Sequence, residues 1–181
     1  MRFKSLALAT LMTAPFVFGA YANATEFSAK FSGFEEVGPL NAETGAIFSP
    51  GTGTVDLDLN RNARTITFKL TYSGLSAPVT QAHIHFGKRH VPGGVMVFFC
   101  TNNNNGPAGT QLCPPGGGTV TGTFTGGSVV GPTAQHVTPG DFDALVAALV
   151  SDTAYGNIHT TGCPSGEIRG QVREGDRDDK R

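Results

Sequence analysis

Between Thr65 and Tyr72 every second residue is apolar, with Ile66, Phe68, Leu70 and Tyr72 alternating against Thr65, Thr67, Lys69 and Thr71. A period of two places successive side chains on opposite faces of an extended chain, so this stretch predicts a half-buried β-strand. The same alternation recurs at Phe27, Ala29 and Phe31, at Val55, Leu57 and Leu59, and at Val120 and Phe124. Turn-forming runs separate these stretches, among them Asn60–Ala63 and Gly116–Gly118. The continuous apolar run Val95–Phe99 predicts a strand buried on both faces. Two further strands are expected over Ala154–Thr160 and Gly166–Val172, split by Gly162-Cys163-Pro164-Ser165. A single stretch has helical spacing. Thr138 is expected as its cap, Pro139 as its first residue, and Phe142, Leu145, Val146 and Leu149 as its apolar stripe over an open end or face of the sheet. This pattern, with 25 glycines and no tryptophan, predicts an all-β sandwich or barrel with one short capping helix.

The first 24 residues have another character. Arg2 and Lys4 precede the apolar run Leu6–Ala20, and Ala22-Asn23-Ala24 supplies small residues for cleavage. This order is that of a secretory signal peptide, and no later apolar run approaches the roughly 18 residues a membrane span needs. The mature chain is expected to start at Thr25 as one domain over residues 25–174, exported to the periplasm or outside, with a charged, frayed tail over 175–181. Loss of the leader takes the formal charge from −1 to −3, which does not suggest nucleic acid as a partner. Export also permits disulfides, and three cysteines leave one unpaired within a monomer. Cys100 and Cys113 are the nearest pair, and Cys113 with Cys163 is the alternative.

Two histidines share one face of a short strand in Thr80-Gln81-Ala82-His83-Ile84-His85-Phe86. If Ala82, Ile84 and Phe86 face the core, His83 and His85 converge on the opposite side. His159 obeys the same rule, opposite Ile158. Imidazole suits copper and zinc, so His83, His85 and His159 are a candidate metal site, provided their strands are neighbours. The plainer alternative is a hydrogen-bonded histidine network on a polar sheet face. Asp56 and Asp58 lack the set of oxygens that calcium collects, and read as a solvated face. Glu167 and Arg169 invite two readings. They either orient the imidazoles from outside, or form an exposed ion-pair ladder contributing under about 1 kcal/mol. The sequence favours the ladder.

The chain resembles the CHRD family, named from chordin and common in exported bacterial proteins. The likeness rests on Phe27-Ser28-Ala29 with Gly33 and Glu36-Val37, on Ala82-His83-Ile84-His85, and on Pro139-Gly140-Asp141-Phe142-Asp143-Ala144-Leu145. Its most specific part is Asn157-Ile158-His159-Thr160 running into Pro164-Ser165-Gly166-Glu167-Ile168-Arg169-Gly170-Gln171. The resemblance implies an antiparallel β-sandwich, immunoglobulin-like or close to copper-zinc superoxide dismutase in shape, with no firmly assigned catalytic activity. Two positions depart from the family pattern. Gly38-Pro39 stands where two prolines are common, and Cys163 where an aromatic residue is frequent. Chordin's growth-factor binding is not carried over, because a fold does not transport a ligand.

Two functions from different classes follow. One is a binding or structural module that recognises a protein, glycan or surface ligand, with the long polar loop Thr101–Pro115 as its natural contact. The other is a copper- or zinc-binding protein, of which a dismutase would be the enzymatic form. His90 and His136 lack the spacing that a bridging ligand and a full dismutase set require. Intact-mass analysis of the exported protein should show a chain beginning at Thr25. A mature chain that retains Leu6–Ala20 would overturn the export reading.

Overall fold

The computed structural model describes residues 24–37 and 45–175. The leader, the Gly38-Pro39 departure and the tail beyond Gly175 lie outside the described residues. In chain order the elements are β1 (Ala24–Ser32), β2 (Thr52–Asn60), β3 (Thr65–Ser73), β4 (Val79–Phe86), β5 (Gly94–Thr101) and β6 (Gly118–Phe124). The helix α1 (Phe142–Val150) follows, then β7 (Ala154–Thr160), β8 (Ile168–Gln171) and β9 (Arg173–Glu174). The strand expected over Gly166–Val172 forms in shorter shape as β8, and the additional two-residue β9 pairs separately with β1.

All pairings are antiparallel, and the order across the sheet is β5-β4-β7-β8-β1-β2-β3-β6. The end strands β5 and β6 return beside one another, so the sheet nearly closes around one core. The all-β, antiparallel expectation is met, and every strand but β9 follows one continuous path of pairing.

The alternation in β2 and β3 does what the sequence predicts. Val55, Leu57 and Leu59 are buried against Ile66, Leu70 and Tyr72, while Asp56, Asp58 and Lys69 face solvent. Each fully buried aliphatic side chain of this kind contributes about 1.5–3 kcal/mol relative to exposure. The β2–β3 turn is tied by the Asn60 side chain, which accepts from Ala63 N at 3.0 Å.

The pairing of β5 with β4 is interrupted twice. Ala82 lies opposite Cys100 but His83 opposite Phe98, and Ile84 lies opposite Val97 but His85 opposite Val95. Phe99 and Met96 are thus the extra residues of two bulges, which shift the alternation of the strand. This explains how neighbours such as Met96 and Val97, or Phe99 and Cys100, are all buried.

The helix begins later than its sequence suggests. Its cap is Asp141, whose side chain accepts from Ala144 N at 2.9 Å, and not Thr138. Gly140 adopts φ +92, a left-handed conformation that interrupts a helix, so Pro139 lies in the preceding turn. The apolar stripe is as expected, with Phe142, Leu145, Val146 and Leu149 all buried.

Cys100 and Cys113 form a disulfide, and Cys163 is free and half-buried. The bridge holds the loop after β5 against the sheet edge. Non-reducing peptide mapping should recover a Cys100–Cys113 link, and replacing both cysteines by alanine should lower stability by about 3 kcal/mol in chemical denaturation. A mapped link between Cys113 and Cys163 would contradict the structure.

Candidate metal centre

Strand β4 runs antiparallel to β7, with Gln81 opposite His159, His83 opposite Asn157 and His85 opposite Tyr155. Ala82, Ile84 and Ile158 point into the core and are fully buried. The alternate residues His83, His85 and His159 therefore share the other face, and their ring centroids lie 5.2, 5.1 and 6.1 Å apart. One ring nitrogen from each falls within 4.8 Å of the others.

This face is not the solvated one that alternation alone predicts. His83, His85 and His159 are 2%, 8% and 7% exposed, because the chain lays a second layer over the sheet. Three segments supply it. The Gly93 carbonyl of the β4–β5 loop accepts from His85 Nδ1 at 3.0 Å. The Pro164 carbonyl of the β7–β8 loop accepts from His159 Nδ1 at 2.9 Å. Glu36, after β1, accepts a hydrogen bond from the Asn157 amide.

A carbonyl oxygen can only accept, so Nδ1 carries the proton in both His85 and His159 and Nε2 presents a lone pair. Among the described residues, both Nε2 atoms are buried with no hydrogen-bond partner, as are both nitrogens of His83. Leaving a buried polar atom unpaired costs about 1–3 kcal/mol. A network of hydrogen-bonded histidines would have joined these atoms, and here they converge without bonding. Metal-binding histidines characteristically donate their second ring N–H to a carbonyl or carboxylate, as two of these do.

Burial pushes the His83 imidazole down to about 2, helped by the neighbouring His85 and His159. Burial brings His85 down to about 4 against the opposing Gly93 bond, with His159 and Arg169 lowering it further. His159 is likewise lowered by burial, against its bond to Pro164. All three rings are neutral at pH 7, the state in which imidazole binds metal.

Arg169 and Glu167 are buried, which overturns the exposed ladder. The reason is that the β4–β5 loop and the segments near Ser49 and Ser76 cover this edge. Arg169 donates to the carbonyls of Lys88 and Val91 at 3.0 and 2.9 Å, and its guanidinium carbon lies 3.3 Å from the centre of the Tyr155 ring. Tyr155 in turn stacks flat on His85, with centroids 4.8 Å apart. Glu167 accepts from Ser49 Oγ at 2.6 Å, Ser76 N at 2.7 Å and Thr160 Oγ1 at 2.7 Å. Burial raises its carboxyl, but these bonds carry it below the ordinary range. Thr160 directly follows His159, so Glu167 anchors the end of that strand.

Sequence reasoning missed Tyr155, Asn157, Phe98 and Glu36. The first two were within reach, since Tyr155, Asn157 and His159 share a face by alternation. Phe98 meets His83 edge-on at 4.4 Å only because a bulge re-aims β5. Glu36 carries no local signal, because its partner is far along the chain. His90 and His136 are exposed and lie outside the cluster.

Fold and site together define an all-β domain with a buried, converging three-histidine cluster. Residues 27–172 match the family model of the CHRD domain. The chain belongs to the CHRD domain family. No curated protein and no solved structure matches it.

The buried histidines give stability a defined pH dependence. In the unfolded chain each ring takes up a proton as pH falls through about 6.5, whereas folded His83 and His85 resist to about 2 and 4. Throughout that window the unfolded state binds more protons. Stability is therefore full above about pH 6.5 and declines on acidification, by about 1.4 kcal/mol per pH unit for each such histidine. Glu36, whose carboxyl is raised by burial, acts in the opposite sense, but one carboxyl does not offset three imidazoles. Thermal melts of chelator-treated protein between neutral pH and pH ~4 should show this slope, and His83→Phe should flatten it. A melting temperature independent of pH across that range would contradict the buried neutral state.

Proposed function

We propose that this chain is an exported, non-catalytic CHRD module that binds copper or zinc through His83, His85 and His159. The observation that carries the reading is the set of buried, partnerless ring nitrogens aimed at one another, two of them on rings held by backbone carbonyls. Metal–nitrogen bonds of about 2.0–2.1 Å would bring ligand atoms to about 3.3 Å of one another. From a spread of up to 4.8 Å this is an inward adjustment of about 1.5 Å, shared among three side chains. The three imidazoles of His83, His85 and His159 would hold the ion, with water or a transferred ligand completing its ligand set. A bound metal would supply Lewis acidity and, if it is copper, one-electron chemistry.

The protein's own residues do the rest. Gly93 and Pro164 fix the two tautomers. Tyr155 and Arg169 hold His85 in plane and lock the loop above it, and Glu167 steadies the strand end at Thr160. With this reading goes a finer one of the fold, in which β5-β4-β7-β8 and β1-β2-β3-β6 act as the facing halves of a dismutase-like sandwich. The Phe68–Phe99 ring contact at 5.1 Å joins one strand of each half, beside the β5–β6 gap.

Titration of the purified, metal-free mature protein with Cu(I), Cu(II) and Zn(II) tests the proposal. His83→Ala and His159→Ala should each weaken the preferred metal by at least roughly a hundredfold, and Arg169→Gln by about tenfold. His136→Ala should bind like the parent. Equal affinity in the parent and in His83→Ala would overturn the assignment.

A further inference from the structure

We propose that the gap where β5 and β6 fail to pair is a second, metal-independent binding site, for a compact, uncharged, hydroxyl-bearing ligand with one apolar face. A hexose ring has that chemistry. The gap opens into a cavity of about 390 Å³, within the range of small-molecule sites. Its floor is closed from beneath by an aromatic triad that belongs to the core, with Phe68, Phe124 and Phe99 only 6%, 2% and 1% exposed. Phe68 stacks on Phe124 with centroids 4.5 Å apart, and Phe99 meets them at 5.1 and 5.5 Å. Gly122 makes room for this floor, since a Cβ there would come within 2.7 Å of the Phe68 ring. Phe98, half-buried on β5, adds an aromatic wall.

The rim is polar but carries no charge. Thr110, Gln111, Thr123, Thr125 and Ser128 bring hydroxyl and amide groups, and every described residue lining the cavity is uncharged. The half-buried Phe98 ring, beside neutral hydrogen-bonding groups, matches a ligand with an apolar face and hydroxyl edges. It gives a phosphate or carboxylate no counter-charge.

An unpaired sheet edge also invites an added peptide strand. Here the edge is already blocked at both ends. Gln111 spans the gap, its carbonyl accepting from Thr101 N at 3.0 Å and its side chain donating to Thr121 O at 2.9 Å. Further along, Val130 N donates to the Met96 carbonyl at 2.9 Å. What remains is a bounded recess, suited to a compact ligand. The stapled loop that ends at Cys113 supplies the Gln111 bridge, which gives the disulfide a role in shaping the site.

The test is amide-shift mapping of the mature protein, with and without metal, against methyl glucoside, methyl galactoside and N-acetylglucosamine. Saturable shifts at Gly109, Gln111, Thr123 and Gly127 are expected with at least one sugar, and glucuronate should bind no tighter. Phe98→Ala should weaken binding about tenfold through loss of ring contact. Thr123→Val, a conservative change on an exposed position, should weaken it several-fold in a protein that melts like the parent. Because Phe98 also touches His83, the Thr123 variant should retain full metal affinity, which separates the two sites. Unmoved amides at this gap with all three sugars would overturn the proposal, as would shifts from an extended peptide where the sugars are inert.

Discussion

The register between β4 and β7 is the constraint on which the rest of this structure depends. Opposing Gln81 with His159 and His83 with Asn157 brings together side chains that are far apart in the sequence. A slip of one residue in either strand would send Ala82, Ile84 or Ile158 out of the core and turn the histidines into it. Apolar burial on one face therefore holds the polar cluster on the other. The same interaction that stabilises the domain also sets the geometry of the candidate metal centre.

A polar face of a sheet is ordinarily left to water, and this one is roofed. The roof is built from backbone carbonyls, aromatic rings and one buried guanidinium, each engaged with the layer beneath it. Among the described residues Arg169 makes no close ion pair, although the Glu36 and Glu35 carboxylates act on it through space. It stacks on Tyr155 and gathers the Lys88 and Val91 carbonyls, so its burial is compensated by hydrogen bonds and by the ring face. Glu167 is compensated in the complementary way, by three donors. Against these satisfied groups the unpaired imidazole nitrogens stand out. An arrangement that pairs its guanidinium and its carboxylate so fully, yet leaves those nitrogens without partners, retains unsatisfied capacity where a cation would sit.

The incomplete closure of the sheet separates two regions of the domain. On the side of β4, β7 and β8 the outer face is buried and preorganised. At the junction of β5 and β6 backbone pairing stops, and a disulfide-stapled loop partly bridges the opening. Phe98 lies between them, touching His83 and lining the gap. The bulges in β5 put it there by displacing the strand from simple alternation.

Period-two alternation by itself determined most of the strands, the core residues of β2 and β3, and the pairing of His83 with His85 on one face. These are local consequences of an extended backbone, so they can be read from neighbouring residues. The helix stripe was legible for the same reason, although its start was displaced by the left-handed Gly140. The resemblance carried by Ala82–His85 and Asn157–Gln171 pointed to the family that the whole domain matches. Burial of the histidine face, the Arg169–Tyr155–His85 stack and the Glu36 contact were decided only by tertiary structure. Each depends on segments distant in sequence coming to lie over the sheet. Alternation states which face a side chain takes; what covers that face depends on the path of the chain between strands.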